Sequence, residues 1–282
     1  MFLALNILPR LPYLKRHSTS TSHEYAFSPL PKYLTCTMST AVSNTTISTL
    51  DPTALPTTPP LDPQPLIATP RLYISHFLPT DPTHIDFTLA VMNTPSANKR
   101  VHTNPLLPTD RATSVAYLAA GAERIAMTGY GRYCVSLRPS PDPTTSSSPS
   151  TINPQGGMID LSTLIHIGTV SCQIAHHPQT HPGPAIPDIG FNFLPEYHGR
   201  GYASEAAMAL MQYYRETRGW EAFAGITDGG NEDSKKCLKR LGFADRGLRK
   251  IAGVVDEGRE VELSIWTIGL EGGEEELRGL RL

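Results

Sequence analysis

The segment His198-Gly199-Arg200-Gly201-Tyr202-Ala203 sets two glycines one residue apart, between an apolar run and an amphipathic helix. Glycine reaches backbone conformations closed to other residues, so successive N–H groups can converge on one point in front of a helix N-terminus. Such a nest of amides holds phosphate. The run before it, Ile189 to Leu194, reads as a short strand that Pro195 stops. After it, Ala206, Ala207, Leu210, Met211 and Tyr214 recur on one helical face, with Glu205, Gln212, Arg215 and Glu216 on the other. The same glycines would also serve a plain strand-to-helix turn with no ligand. A Rossmann dinucleotide site would need a third glycine where this chain has Ser204, and a series of βαβ repeats around it.

A second helix start lies at Asn231, a good N-cap, with Glu232 and Asp233 in the first turn, Lys239 and Arg240 in the last, and Gly242 to end it. The two segments together resemble the GNAT acetyltransferase superfamily. Its acetyl-CoA motif, Q/R-x-x-G-x-G/A, falls on His198, Gly201 and Ala203, with only the first residue departing. Its second signature, an Asn-opened helix closing on Gly-Phe, falls on Asn231 to Gly242-Phe243. Many members carry Tyr where this chain has Leu238, and Ser234 with Gly-Arg-Gly-Tyr-Ala-Ser-Glu-Ala is similar to the ribosomal-protein-alanine acetyltransferase branch. The resemblance spans roughly Ile67 to Ile268.

What the resemblance implies is an α+β fold. A mixed, partly antiparallel, twisted sheet is flanked by helices, and two central parallel strands splay to admit acetyl-CoA. By the same resemblance Phe193 and Leu194 line the pantetheine, His198, Gly199, Arg200, Gly201, Tyr202 and Ala203 hold the pyrophosphate, and Asn231 meets the cofactor from the other side. Asp188, where related enzymes often carry an acid, is the expected base, its plain alternative being an exposed strand-end carboxylate. Ser234 is the expected proton donor to the leaving thiolate, directly or through water, because the usual Tyr is absent; a serine early in a helix is also an ordinary hydrogen-bonding residue. The expected activity is direct acetyl transfer from acetyl-CoA to a primary amine, either a protein N-terminus or a small amine. A non-catalytic acyl-CoA-binding module is the alternative reading, and a nucleotide-binding domain a third.

The elements that must position these residues follow in order. Leu72 and Ile74 alternate with polar neighbours in a strand. Helices open at Thr80-Asp81-Pro82 and near Thr109-Asp110, joined by a loop, 97–108, that would wall the acceptor site. Strands are expected over Tyr133–Leu137, Leu164–Ile174 and Ala222–Ile226, and a hairpin from Leu248 to Ile268 around Asp256-Glu-Gly-Arg259. Residues 1–66, rich in Ser, Thr and Pro, read as a disordered leader, and about 139–157 as a disordered insert. The domain would thus occupy 67–268, followed by a charged tail, 269–282, with no evident task.

Of 282 residues 39% are hydrophobic, enough for a sizeable core, and a net charge of -2 supplies no basic field for nucleic acid. No run approaches a membrane span, so neither nucleic acid nor membrane is an expected partner. Cys36, Cys134, Cys172 and Cys237 are too scattered for a disulfide framework or a zinc site and suit a reducing compartment. His176, His177 and His181 lie in a Pro-rich stretch without a Cys or carboxylate at ligand spacing, so no metal is expected. The expected location is cytoplasmic. The alternative is mitochondrial, because the first 50 residues hold Arg10, Lys15, Arg16 and Lys32 against Glu24 alone. Pro9 and Pro12 break any amphipathic helix there, and Met38 is an alternative start.

Overall fold

The computed structural model describes residues 61–62, 64–94, 107–139, 159, 163–174, 183–254 and 260–282. Expectations for the leader up to residue 60, for most of the loop 97–108 and the insert, for the three histidines at 176, 177 and 181, and for the turn at 256–259 lie outside these residues.

Eight strands form one sheet in the order β1-β2-β3-β4-β5-β6-β8-β7. They are β1 (Pro65–Ala68), β2 (Leu72–His76), β3 (Gly131–Leu137), β4 (His166–Gln173), β5 (Asp188–Phe193), β6 (Phe223–Thr227), β7 (Ala244–Ile251) and β8 (Val261–Ile268). Every neighbouring pair is antiparallel except β5 with β6. The helices are α1 (Pro82–Met92), α2 (Arg111–Thr128), α3 (Tyr202–Arg218), α4 (Glu232–Arg240) and α5 (Glu274–Gly279). This is the mixed, helix-flanked sheet expected.

Local chemistry starts and stops the helices. Asp81 caps α1 by accepting from the Thr83 amide, with Pro82 at the first helical position. Asp110 and Thr113 form a reciprocal capping box on α2, and Gly129, at φ 75, ends it in the left-handed conformation. The apolar face of α3 is the one its periodicity marks: Ala206, Ala207, Leu210, Met211 and Tyr214 are all buried.

Two apolar layers cover the sheet. On one face Leu72, Ile74, Tyr133, Val135, Val170, Cys172, Ile189 and Phe193 pack with α3 and with Leu238 of α4. On the other, Cys134 packs with Ile85, Phe87, Val91, Met92 and Leu118 of α1 and α2. Strand alternation therefore sends Arg132 and Cys134, and likewise Asp188, Gly190 and Asn192, towards α1 and α2. The three cysteines described, Cys134, Cys172 and Cys237, are free and buried.

The structure extends the expected domain at both ends. It begins with β1 at Pro65, and β7 begins at Ala244, before a bulge between Asp245 and Leu248. Residues 269–282 are integral: α5 buries Leu277, and Leu282 joins it against Ile186, Ala224, Leu263 and Ile265. The four leucines of this short, charged, Gly-rich stretch, Leu270, Leu277, Leu280 and Leu282, form no run long enough to mark a core element, so only the surface receiving them reveals their task.

Beneath α3 a hydroxyl chain crosses the core. The Tyr214 hydroxyl donates to the Gly129 carbonyl at 2.8 Å and lies 2.8 Å from the Tyr133 hydroxyl. Since the carbonyl can only accept, the Tyr214 proton is committed and Tyr133 must donate to Tyr214. Tyr214→Phe strands both partners and should cost about 2–3 kcal/mol in urea unfolding, whereas Tyr133→Phe removes one bond and should cost about 1 kcal/mol. Equal losses would refute this proton order.

Candidate active site

Strands β5 and β6 are sheet neighbours, yet they register at one pair, Asp188 with Ala224, where the Ala224 N–H donates to the Pro187 carbonyl at 2.9 Å. The other edge of β5 is paired along its whole length with β4, from Gln173↔Asp188 to Gly168↔Phe193. Beyond Asp188 the two strands part, and Ile189–Phe193 faces Gly225–Thr227 across an opening. Each lip carries a side chain seated on a glycine. A Cβ on Gly168 would lie 2.3 Å from the Phe193 ring, and one on Gly225 would lie 2.4 Å from Leu238.

At the mouth of this opening the glycine loop enters α3. Gly199 and Gly201 have φ of 72° and 80°, the left-handed region that favours glycine. No heavy atom lies within 4 Å of a Cβ built on Gly199, so conformation and not crowding requires glycine there. The first helical bond runs from the Glu205 N–H to the Gly201 carbonyl, and no side chain caps the helix. The amides of Tyr202, Ala203 and Ser204 are therefore left without intrahelical acceptors, at the positive end of the helix dipole. His198, Gly199 and Arg200 are exposed, and the His198 Nε2–H donates to the Phe193 carbonyl at 2.8 Å, folding the loop onto the end of β5.

The loop is anchored by residues that the sequence reading passed over. Glu205 accepts from the Thr69 hydroxyl at 2.6 Å, the Arg71 amide at 3.2 Å and Arg71 Nε and Nη2 at 2.6 Å each. Arg71 in turn donates to the Arg200 carbonyl at 3.0 Å and lies 4.6 Å from the centre of the Tyr202 ring. Glu205 falls on the polar face of α3 by period, and its partners are about 130 residues away, so nothing local marks it.

Across the mouth, Asn231 caps α4. Its Nδ2 donates to the Thr227 hydroxyl at 2.8 Å and to the Ser234 hydroxyl at 2.6 Å, while Oδ1 accepts from the Ser234 amide at 3.3 Å. Ser234 Oγ is an acceptor in this network and keeps its own proton to donate. Leu238, where a tyrosine was the resemblance's expectation, is 2% exposed.

Asp188 is placed differently from the others, at the closed apex of the opening and not at its mouth. It is 7% exposed, which removes the reading of an exposed strand-end carboxylate. Arg124 of α2 lies near it: burial lowers the Arg124 pKa and the Asp188 charge opposes that shift. Of the residues expected to line the pantetheine, Phe193 points into the core over Gly168 and Leu194 packs against the α1 and α2 cluster, leaving backbone at the opening.

Beneath α1, His84, Cys134 and His166 bring one ligand-type atom each within 4.8 Å of the others. Their hydrogen bonds oppose metal binding. His84 Nδ1 accepts from the Leu78 amide at 3.0 Å, so the neutral ring carries its proton on Nε2, the nitrogen that would need a lone pair for a metal. His166 Nδ1 lies 2.8 Å from the Ser136 hydroxyl and 3.5 Å from Cys134 Sγ.

Burial lowers the His84 pKa and, with the neighbouring His84, brings that of His166 to about 4, while Asp81 acts in the opposite sense on both. A histidine depressed in the folded state stabilises the fold above its unfolded pKa, about 6.5, and that contribution disappears as pH falls towards 4. Unfolding free energy should therefore drop between pH 6.5 and 4, and His166→Gln should flatten this slope. At the cradle, Glu205→Ala should speed hydrogen exchange of the amides of residues 205–207, the first of α3 to be hydrogen-bonded, by about tenfold or more, with a smaller effect on the amides of β3 and β4.

A family model described as the acetyltransferase (GNAT) domain matches residues 71–244. YkkB of Bacillus subtilis (strain 168), an uncharacterized protein, is 32% identical over 66 residues, 23% of this chain and 38% of that protein's length. A candidate ribosomal-protein-serine acetyltransferase from Vibrio cholerae has the same fold, with a TM-score of 0.50, 14% identity, and coverage of 72% of this chain and 97% of its own. An acetyltransferase from Agrobacterium tumefaciens str. C58 aligns with a TM-score of 0.47 and 19% identity over 72% of this chain and 94% of its own. The family model covers more than half of the sequence and both segments that frame the opening, and this chain belongs to the GNAT acetyltransferase family.

Proposed function

We propose that this protein transfers an acetyl group from acetyl-CoA to a primary amine, directly, within a ternary complex. The observation that carries the reading is the one-pair contact of β5 with β6, which leaves an opening with a glycine-loop cradle at its mouth. The pyrophosphate would rest on the amides of residues 199–204, and the pantetheine would run between β5 and β6 towards Asp188. Asn231 would border it from the α4 side.

Backbone polarity supports a place for the oxyanion. The Leu194 amide bonds to the Ile167 carbonyl on the β4 side, so by alternation the amides of Phe191 and Phe193 face β6 and that of Asn192 faces β4. The Phe193 amide, unlike that of Asn192, is then turned so that it could stabilise a tetrahedral intermediate in the opening. Ser234 retains a proton for the leaving thiolate, passed directly or through water.

A lysine-like amine, with a pKa near 10.4, needs a strong base, whereas an α-amine at about 7.7 to 8.0 needs little. Asp188, buried at the closed apex of the opening, is suited to hold the ammonium and relay its proton, a task that fits an α-amine better. Positioning amine and thioester together supplies much of the rate.

The full chain should unfold at higher temperature with acetyl-CoA or CoA, by about 2.7 kcal/mol at a hundredfold excess over Kd, and be unmoved by NAD or ATP. A shift with NAD or ATP and none with CoA would sink the acetyl-CoA reading in favour of a nucleotide site. Asp188→Asn should lower kcat/KM for amine acetylation by about 100-fold while keeping the CoA shift, and Ser234→Ala should act mainly on kcat. Undiminished turnover in both variants would remove them from the mechanism. A CoA shift without turnover of any amine would favour a non-catalytic acyl-CoA-binding module.

A further inference from the structure

On the face of the sheet turned towards α1 and α2, one row crosses three strands: Arg132 of β3 registers with Ser171 of β4, and Ser171 with Gly190 of β5. Gly190 leaves a gap in this face. Only Ser171 Oγ, at 2.7 Å, lies within 4 Å of where a Gly190 side chain would begin. Asp188 and Asn192 stand on either side of Gly190 along β5, and the Asn192 amide group donates to the Val91 carbonyl at 2.8 Å, closing that side against α1. Arg132 borders the gap from β3.

Arg132 is half-buried, and among the described residues its one hydrogen-bond contact is the Met92 thioether, 3.8 Å from Nη1. No described carboxylate pairs with it. The arginines beside the glycine loop and beside Asp188 are engaged, Arg71 by Glu205 and Arg124 by the Ile174 carbonyl. A half-buried arginine in the row that ends on this gap, held only by a thioether, offers a forked donor that matches a carboxylate. Two strand spacings, about 10 Å, separate β3 from β5, and an arginine side chain spans much of that distance. An anion held there would sit within a few bonds of an amine held at Asp188.

We propose that the acceptor is a primary amine bearing a carboxylate within a few bonds, and that Arg132 binds this carboxylate over Gly190. The inference rests on the acetyltransferase reading and sharpens its substrate class. A free amino acid and a peptide with an acidic residue next to its N-terminus share this chemistry.

The test compares alanine with alaninamide, with rates expressed per neutral amine, and Ala-Glu-Ala-amide with Ala-Gln-Ala-amide, on the full chain saturated with acetyl-CoA. In at least one pair the carboxylate form should be preferred by about 10- to 100-fold in kcat/KM. That preference should vanish in Arg132→Gln and partly survive in Arg132→Lys, with the neutral member of the pair unchanged. Which pair discriminates identifies the source of the carboxylate. Calorimetry of the same ligands on CoA-loaded protein should show the same ratio in Kd. Equal rates and equal Kd within both pairs, or a preference that Arg132→Gln leaves intact, would overturn the assignment and leave Arg132 as a cation packed near the C-terminus of α1. Absence of turnover with every amine would count against the acetyltransferase reading, and the calorimetric ratio would still decide the role of Arg132.

Discussion

The structure turns on the single register pair between Asp188 and Ala224. Two parallel strands in one sheet would ordinarily satisfy each other's backbone along their length. Here each leans on its other neighbour: β5 is paired throughout with β4, and β6 with β8 from Phe223 to Thr227. The glycines on those neighbouring surfaces let large buried groups settle close to the sheet, Phe193 over Gly168 and Leu238 over Gly225. The backbone left unpaired between the strands is then a polar slot inside an otherwise apolar layer. A buried peptide group without a partner is costly, so such a slot is suited to a ligand able to hydrogen-bond along it.

A slot of this kind is useful only if its mouth is held in register with its floor. Helix α3 is packed on the sheet by five buried residues, which sets the direction of its free amides. The Glu205, Arg71 and Thr69 cluster then ties the first turn of that helix to the segment leading into β2, and Arg71 reaches on to the Arg200 carbonyl within the loop itself. The guanidinium is about half exposed, so its Coulombic contribution to global stability is small. Its value is geometric: it fixes where the loop carbonyl points and therefore where the amides point.

The two faces of the sheet divide the work. The face beneath α3 and α4 is apolar and carries a larger buried cluster than the face beneath α1 and α2. The face beneath α1 and α2 carries Thr169, Ser171, Asp188 and Asn192 along two adjacent strands, with Arg132 and Arg124 at its margins. Polar side chains under helices are tolerated where they are paired or where a ligand completes them. The change of character occurs across β5, whose alternate residues belong to opposite faces. One strand thus presents backbone to the slot, Ile189 and Phe193 to the core beneath α3, and Asp188 and Asn192 to the face beneath α1 and α2.

Features that depend on short-range chemistry were legible in the sequence. The glycine turn, the Asp81, Asp110 and Asn231 caps and the buried stripe of α3 follow from residue type and period, and each occurs where those predict. The resemblance carried by the two signatures placed the splayed strands, since no local pattern distinguishes a paired edge from an open one. Tertiary structure alone decided the rest. Glu205 and Arg71 meet over about 130 residues, the C-terminal leucines acquire a task only where a surface receives them, and Asp188 of β5 comes near Arg124 of α2. Arg132 is one more residue of a strand until the register sets it beside Ser171 and the space over Gly190. The physical reason is common to all of these: periodicity and capping act within a few residues, whereas a site is made by side chains whose proximity depends on how whole elements pack.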